Sequence, residues 1–418
     1  MFFSGLCHHF VTRKKCFAFR HKTALTAIFR ISTYAVTALG LLTFLPAVAQ
    51  VTPQTVTSGL QNPWAMAFLP DGNFLVTERP GRLRLVTSDG KLQPTPITGL
   101  PPIDAGGQGG LLDVLLDSEF ARTRMLYFCF SEPAGTGSGN STALAQATLN
   151  VDNTRLENLR ILFSQKPKFA SSAHFGCRIV EGRTPGVAGN TAAAKTDGTL
   201  FLTLGDRFSR RDDAQKLDNH HGKIVRIKKG DGSIPAAGNP FTKRAGALPE
   251  IWSYGHRNVQ GATTGPDGRL WTHEHGPQGG DEINIAQAGL NYGWPIITFG
   301  ENYGGGTIGA GITARAGLEP PLHQWTPSIA PSGMAFLTSN RYGAAWQGNL
   351  FVGSLKFGYL NRIELQGGSN GTAFKVVKES KLLDDLGERI RDVRQGPDGL
   401  LYVLTDSGQG QLIRLLPR

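Results

Sequence analysis

The sequence predicts an all-β fold, a six-bladed β-propeller of four-stranded antiparallel sheets, and three observations carry that prediction. Glycine and proline supply 78 of the 418 residues, about 19% against roughly 12% in average proteins. After residue 50 a turn rich in Pro, Asp and Gly, followed by an apolar strand, recurs about six times. No apolar period of helical length runs between the copies. Charged residues make up only 18%, and the whole mixture argues against a coiled coil, a polytopic membrane protein or a mostly disordered chain.

The copies follow in order. Leu69-Pro70-Asp71-Gly72 leads into Phe74–Thr77, with Leu83–Val86 after it. Asp117–Phe120 precedes Met125–Phe130, and Thr196-Asp197-Gly198 precedes Leu200–Leu204, with Lys223–Ile227 beyond. Gly265-Pro266-Asp267-Gly268 precedes Leu270–Thr272. A degenerate copy, Trp346-Gln347-Gly348-Asn349, precedes Leu350–Val352 and Leu360–Leu365. Gly396-Pro397-Asp398-Gly399 precedes Leu400–Thr405, and Gln411–Leu416 closes the chain. Proline presets φ, aspartate bonds its own backbone and glycine accepts positive φ, so each hairpin is specified locally. One such sheet cannot bury both faces alone, whereas copies arranged radially can. One copy per roughly 60 residues exceeds a bare blade, so long loops are expected. An array of β-sandwiches is the alternative. No Pro/Ser-rich linker divides the chain, and residues 50–418 are read as one domain.

The formal charge of +11 invites a nucleic-acid partner, but the charge is unevenly placed. Arg13, Lys14, Lys15, Arg20, Lys22 and Arg30 precede an apolar stretch from Ile31 to Leu45 and the triplet Ala47-Val48-Ala49, with no acid among them. That is the order of a secretory signal peptide over residues 1–49. The run is short for a membrane span, and an uncleaved N-terminal anchor is the alternative. Without residues 1–49 there remain 37 basic and 32 acidic residues, a net charge of +5. No basic, aromatic-interleaved run remains, which disfavours nucleic acid. The expected mature protein is periplasmic or secreted and not integral to a membrane. Cys7 and Cys16 leave with the leader, and Cys129 and Cys177 are compatible with one disulfide or with two buried thiols.

Nucleotide-binding signatures are missing. Gly367-Gly368-Ser369-Asn370-Gly371 matches G-x-S-x-G but lies between two strands, so it reads as a hairpin turn rather than a nucleophile elbow. The densest group of possible ligands is Trp271–Glu282. His273 and His275 would share one strand face and could form a zinc pair. The Gly-Pro-Gly-Gly backbone and Asp281-Glu282 instead offer hard oxygen donors suited to Ca²⁺, and a polar loop without metal is the third reading. His174 enters a strand, where a lone histidine is more often structural than a base. Arg389 and Arg391 would lie on one strand face, where a planar polycarboxylate could meet two guanidinium forks. Gly106-Gly107-Gln108-Gly109-Gly110 is a loop of close backbone approach around one amide.

These segments resemble the soluble quinoprotein aldose sugar dehydrogenases, relatives of soluble PQQ-dependent glucose dehydrogenase, from about Gly59 to Leu415. The resemblance rests on Gly107-Gln108-Gly109-Gly110-Leu111-Leu112, His174-Phe175-Gly176-x-Arg178 and Glu250-Ile251-Trp252-Ser253-Tyr254-Gly255-x-Arg257-Asn258. It continues through Glu274-His275-Gly276-Pro277-x-Gly279-Gly280-Asp281-Glu282-Ile283-Asn284, Asn291-Tyr292-Gly293-Trp294-Pro295 and Arg389-Ile390-Arg391-Asp392-Val393. That family is a six-bladed propeller, in agreement with the repeat count. The resemblance implies oxidation of aldose sugars at C1 to the lactone, with PQQ and Ca²⁺ as cofactors and an external electron acceptor.

It implies His174 as general base, Asp206 as the residue that orients it, and Arg257 as the cation facing the quinone oxygen. Gln108, Asn258, Tyr303, Lys356, Arg389 and Arg391 match cofactor-contacting positions, with Ser354 and Leu355 flanking Lys356. The Gly276 and Pro277 carbonyls match those binding the Ca²⁺ at PQQ. Glu282 and Tyr292 match a separate structural Ca²⁺ site, Tyr292 through its backbone oxygen. Two positions depart: Cys177 stands where relatives carry Gly, and His256 where a small or apolar residue is common. A catalytically inactive sugar- or protein-binding propeller and a Ca²⁺-dependent propeller lactonase are the competing readings. The oligomeric expectation is a monomer or homodimer.

Overall fold

The computed structural model describes residues 51–184, 195–235, 237–368 and 373–418. The leader at 1–49 and Ser369 of the G-x-S-x-G string lie outside the described residues. Six small antiparallel sheets follow one another along the chain. The first blade is Pro63–Phe68, Phe74–Glu78 and Arg82–Val86; the second is Leu111–Leu116, Met125–Pro133, Asn140–Leu149 and Leu156–Ser164. The third is Gly176–Arg183, Thr196–Leu204, Lys223–Lys228 and Ile251–Tyr254; the fourth is Val259–Thr264, Leu270–Glu274, Asp281–Ala286 and His323–Trp325. The fifth is Pro331–Phe336, Leu350–Ser354, Leu360–Gln366 and Lys375–Leu382. In the sixth, Ile390–Gln395, Leu401–Thr405 and Gly410–Pro417 are completed by the chain's first strand, Val51–Leu60, paired from Val51↔Pro417 to Leu60↔Gly410.

The first strands of successive blades touch one another around a closed ring, the sixth meeting the first. All six recurring turns join the innermost strand of a blade to its second strand. Their aspartates act as expected: Asp71, Asp117, Asp197, Asp267 and Asp398 each accept the backbone N–H two residues on, at 2.8–3.1 Å. Helix among the described residues is limited to Phe120–Thr123 and a 3₁₀ turn at Arg211–Gln215.

One blade departs from the four-stranded expectation. After Val86 the first blade continues only as isolated bridges, Val86↔Leu92 and Leu83↔Ile97. Pro94 and Pro96 fall between them, and neither has an N–H for a ladder.

Apolar side chains fill the space between facing blades rather than one central core. Trp64, Phe128, Leu202 and Val225 belong to a cluster reaching from the first to the third blade. Trp271, Phe336 and Leu350 join the fourth and fifth. Each fully buried side chain of this kind contributes roughly 1.5–3 kcal/mol. The ring axis is closed by buried charge: Asp113, Arg178, Asp392 and Arg394 interlock there.

Cys129 in the second blade and Cys177 in the third form a disulfide, which settles the choice left open by the sequence. Cys177 has φ +82°, a conformation that favours glycine, which gives a backbone reason for the glycine that the resemblance leads one to expect there. Closing a loop between residues 48 apart stabilises by about 4 kcal/mol on loop entropy alone. The double variant C129A/C177A is therefore expected to lose about 2–4 kcal/mol in a urea unfolding titration.

Candidate active site

In an antiparallel blade, the start of the innermost strand lies beside the end of the second strand. Gln108, His174, Arg257, Asn258 and Arg389 precede or open innermost strands. Asp206, His275, Leu355 and Lys356 follow second strands. All of them therefore meet at one mouth of the ring.

His174 is buried, and its Nδ1 lies 2.6 Å from Asp206 Oδ1. A carboxylate can only accept, so Nδ1 carries the proton and Nε2 is left basic. Asp206 is itself held by the Phe208 N–H and the Trp294 indole N–H, each at 2.8 Å. The His174 backbone N–H donates to Gln108 Oε1 at 2.9 Å, and its φ is +53°. Gly205 permits the approach of the next segment, because a Cβ there would stand 2.1 Å from the His174 carbonyl oxygen. Burial lowers the imidazole's pKa; the Asp206 hydrogen bond opposes this, while the charges of Arg257 and Arg207 add to it. The ring is neutral at neutral pH.

Arg207 anchors the loop before His174. Its guanidinium is buried 3.7 Å over the Phe175 ring and donates to the carbonyls of Ala173 at 2.9 Å and Ser171 at 2.6 Å. Burial brings its pKa down to about 10, so it remains a cation.

Arg257 reaches from the fourth blade, donating to the carbonyls of His275 at 2.9 Å and Gly276 at 2.7 Å, with its guanidinium 5.3 Å over the Trp294 ring. Asn258 Oδ1 accepts the Gly176 N–H at 3.1 Å, tying the third and fourth blades together.

Beside these residues opens a cavity of about 510 Å³. Gln108, Leu355, Lys356, Arg389 and Arg391, expected from the sequence, all line it. Arg79, Asp406 and Trp64 line it too and were not anticipated. Four cations thus face one carboxylate. Asp406 accepts from Arg391 Nη2 at 2.6 Å and lies 3.4 Å from Arg389 Nη2. Burial works to raise the Asp406 carboxyl, but Arg391 and then Arg389 hold it below the usual range. The Arg391 Nε is buried without a protein partner, so this wall has room for more negative charge. These features fit a polycarboxylate such as PQQ.

Tyr303 lies in a neighbouring pocket of about 320 Å³ with Arg257, Pro277, Phe208 and Trp294. The Ser354 hydroxyl is directed into the fold, donating to the Ile329 carbonyl at 2.8 Å.

The ligand-dense segment divides in two. His273 is buried and His275 half-buried, lining the cavity, and His275 Nε2 donates to the Pro331 carbonyl at 2.7 Å. No group of three His, Cys, Asp or Glu side chains poised for a metal occurs among the described residues, so the zinc pair finds no third ligand. Asp281 has a structural role, accepting N–H groups of Gly276, Ile329 and Ala330 at 2.7–2.9 Å.

Glu282 is half-buried; desolvation, then the neighbouring charge of Glu274, raise its carboxyl well above the usual range. Asn284 donates to both carboxylates at 3.2–3.3 Å, while its Oδ1 is buried without a partner. Two carboxylates and an unpaired amide oxygen form a hard-donor set that suits Ca²⁺. The Tyr292 hydroxyl donates to the Ile285 carbonyl at 2.7 Å, so this residue's remaining donor is its backbone oxygen. His256, the second departure, is a structural residue: it bridges Glu274 and Ser253 at 2.9 Å and stacks on Tyr292.

With this geometry in hand, the relatives are informative. Residues 60–414 match the family described as Glucose / Sorbosone dehydrogenase. The aldose sugar dehydrogenase YliI of Escherichia coli K12 is 43% identical over 376 residues, 89% of this chain and 94% of that one. Quinoprotein glucose dehydrogenase B of Acinetobacter calcoaceticus is 28% identical over 85% of each chain. The apo crystal structure of the soluble E. coli aldose sugar dehydrogenase superposes with a TM-score of 0.79 at 42% identity, covering 88% of this chain and 100% of that one. The PQQ-bound aldose sugar dehydrogenase of Streptomyces coelicolor gives a TM-score of 0.68 at 27% identity, covering 88% and 99%. The chain belongs to the glucose/sorbosone dehydrogenase family.

Proposed function

We propose that this chain is a PQQ- and Ca²⁺-dependent dehydrogenase that oxidises aldoses at C1 to the lactone and passes the electrons to an external acceptor. The observation that carries it is a neutral, Asp206-held His174 beside a cavity walled by four cations. When bound, PQQ supplies a hydride-accepting quinone and Ca²⁺ the Lewis acid that polarises it. Lys356, Arg389 and Arg391 would anchor its carboxylates through charge-assisted hydrogen bonds. Gln108 and Leu355 would complete the socket, with Asn258 and Tyr303 at its border and Ser354 supporting the Lys356 segment from within the fold. The carbonyls of Gly276 and Pro277 would hold one Ca²⁺, and Glu282 with the Tyr292 oxygen a structural one. His174 Nε2 takes the proton of the C1 hydroxyl, Asp206 keeps the ring in the competent tautomer, and Arg257 stabilises negative charge as it develops.

A propeller lactonase has no use for the cationic wall, and a non-catalytic binder has none for the His174–Asp206 pair. Reconstitution with PQQ and Ca²⁺, followed by dye reduction with a panel of aldoses, tests the proposal; no quinone absorbance and no dye reduction would refute it. Removing Arg391 deletes a buried charged donor, so R391A is expected to weaken PQQ binding tenfold to about a hundredfold in an absorbance titration. Residues 1–49 are proposed as a cleaved signal peptide that delivers the enzyme to the periplasm or the medium. The mass of the exported protein, expected to begin at Gln50, checks this.

A further inference from the structure

Three large aromatic side chains are exposed among the described residues, Phe208, Tyr303 and Phe357, and all three stand at the active-site mouth. Phe357 adjoins Lys356 of the cavity wall. Phe208 and Tyr303 lie nearly parallel, ring centroids 6.3 Å apart at 22°, and both line the neighbouring pocket. Exposed rings gain nothing from the core, and the Phe208 ring is held outward by a costly backbone. Arg207 and Phe208 have φ of +60° and +67° in succession, each such residue costing of order 1 kcal/mol or more.

The same carboxylate that orients His174 accepts the Phe208 N–H, and the Phe208 ring lies edge-on to the His174 ring at 5.2 Å. Phe208 is thereby fixed relative to the proton acceptor. Arg211 and Asn302 add polar groups to the pocket wall beside the aromatic pair. An apolar face bordered by hydrogen-bonding groups matches a pyranose, whose C–H face is apolar and whose rim carries hydroxyls.

We propose that Phe208, backed by Tyr303, is a specificity-determining residue that receives the second ring of a reducing disaccharide whose first ring presents C1 to His174. This rests on the dehydrogenase reading above. The test compares glucose with maltose in wild type, F208A and F208Y, by dye reduction after reconstitution and by fluorescence titration of the PQQ-free protein, since Trp294 lines the same pocket. F208A is expected to raise the ratio of maltose KM to glucose KM about tenfold, the worth of one aromatic contact, and to weaken maltose's fluorescence response equally; F208Y restores both.

An unchanged ratio in a folded F208A protein, or equal losses for both sugars, would overturn the platform. If wild type oxidises no aldose, the dehydrogenase reading falls, and the fluorescence titration still decides. A saturable maltose response lost in F208A then supports the platform, and no response in wild type refutes it.

Discussion

The variant H174A is expected to bind PQQ and lose turnover by 10²–10⁴-fold, the usual contribution of a positioned general base. The expectation follows from the contacts of one ring. Asp206 fixes the Nδ1 proton at 2.6 Å, so the free lone pair is at Nε2. Burial, reinforced by Arg257 and Arg207, depresses the imidazole pKa below its ordinary value of 6.5. A base works deprotonated, so kcat/KM should be flat through neutral pH and fall only below that value. In D206N the hydrogen bond to a charged acceptor, which opposes the depression, is weakened. The acid limb then moves to lower pH while kcat falls with the lost orientation. A pH series of kcat/KM on wild type and D206N reads both effects. Full turnover in an H174A protein that binds PQQ would remove His174 from this role.

How far the sequence can be read follows from the range of each interaction. The turns are legible because each aspartate bonds a backbone group two residues away, and five did so as expected. The shortened first blade is legible only if Pro94 and Pro96 are weighed against the repeat, which the count of copies overrides. His174, Arg257 and the Arg389/Arg391 pair stand in local motifs and converge on one mouth. Among their partners only Asp206 is expected, through the family resemblance; the contacts that hold these groups do not announce themselves. Asp206 receives Trp294 across 88 residues, and the Arg391–Asp406 bond crosses from an innermost strand to the end of its neighbour. Arg79 has no spacing that marks it, and only ring closure brings it to the cavity. The sequence pattern identifies the residues that face a ligand, whereas the residues that hold them are chosen by the fold.

The second large effect is expected at Asp113, far from any reacting atom. Asp113, Arg178, Asp392 and Arg394 lie on the innermost strands of the second, third and sixth blades. Asp113 meets Arg178 at 3.2 Å and Arg394 at 2.6 Å, and Asp392 meets the same pair at 2.9 and 3.1 Å. Arg178 also lies 4.2 Å over Trp64, and the Met66 N–H reaches Asp392 at 3.3 Å, which brings in the first blade. Burial would strip the charge from Arg394, yet Asp392 and Asp113 hold its pKa above the usual guanidinium range. The quartet is neutral as a whole, so it is tolerable as a set and intolerant of losing one member. D113A leaves two guanidiniums on one carboxylate and orphans the Ile179 N–H that Asp113 accepts at 2.8 Å. The expected cost is about 3–5 kcal/mol of unfolding free energy, and it depends only weakly on salt because Asp113, Arg178 and Asp392 are buried. Pairing D113A with R394M should recover part of it, since the second change removes a stranded cation. Urea titrations of both single variants and the double variant measure the coupling directly. A loss below about 1 kcal/mol in D113A, the size typical of exposed pairs, would show that the ring is closed by its blade-to-blade apolar packing alone.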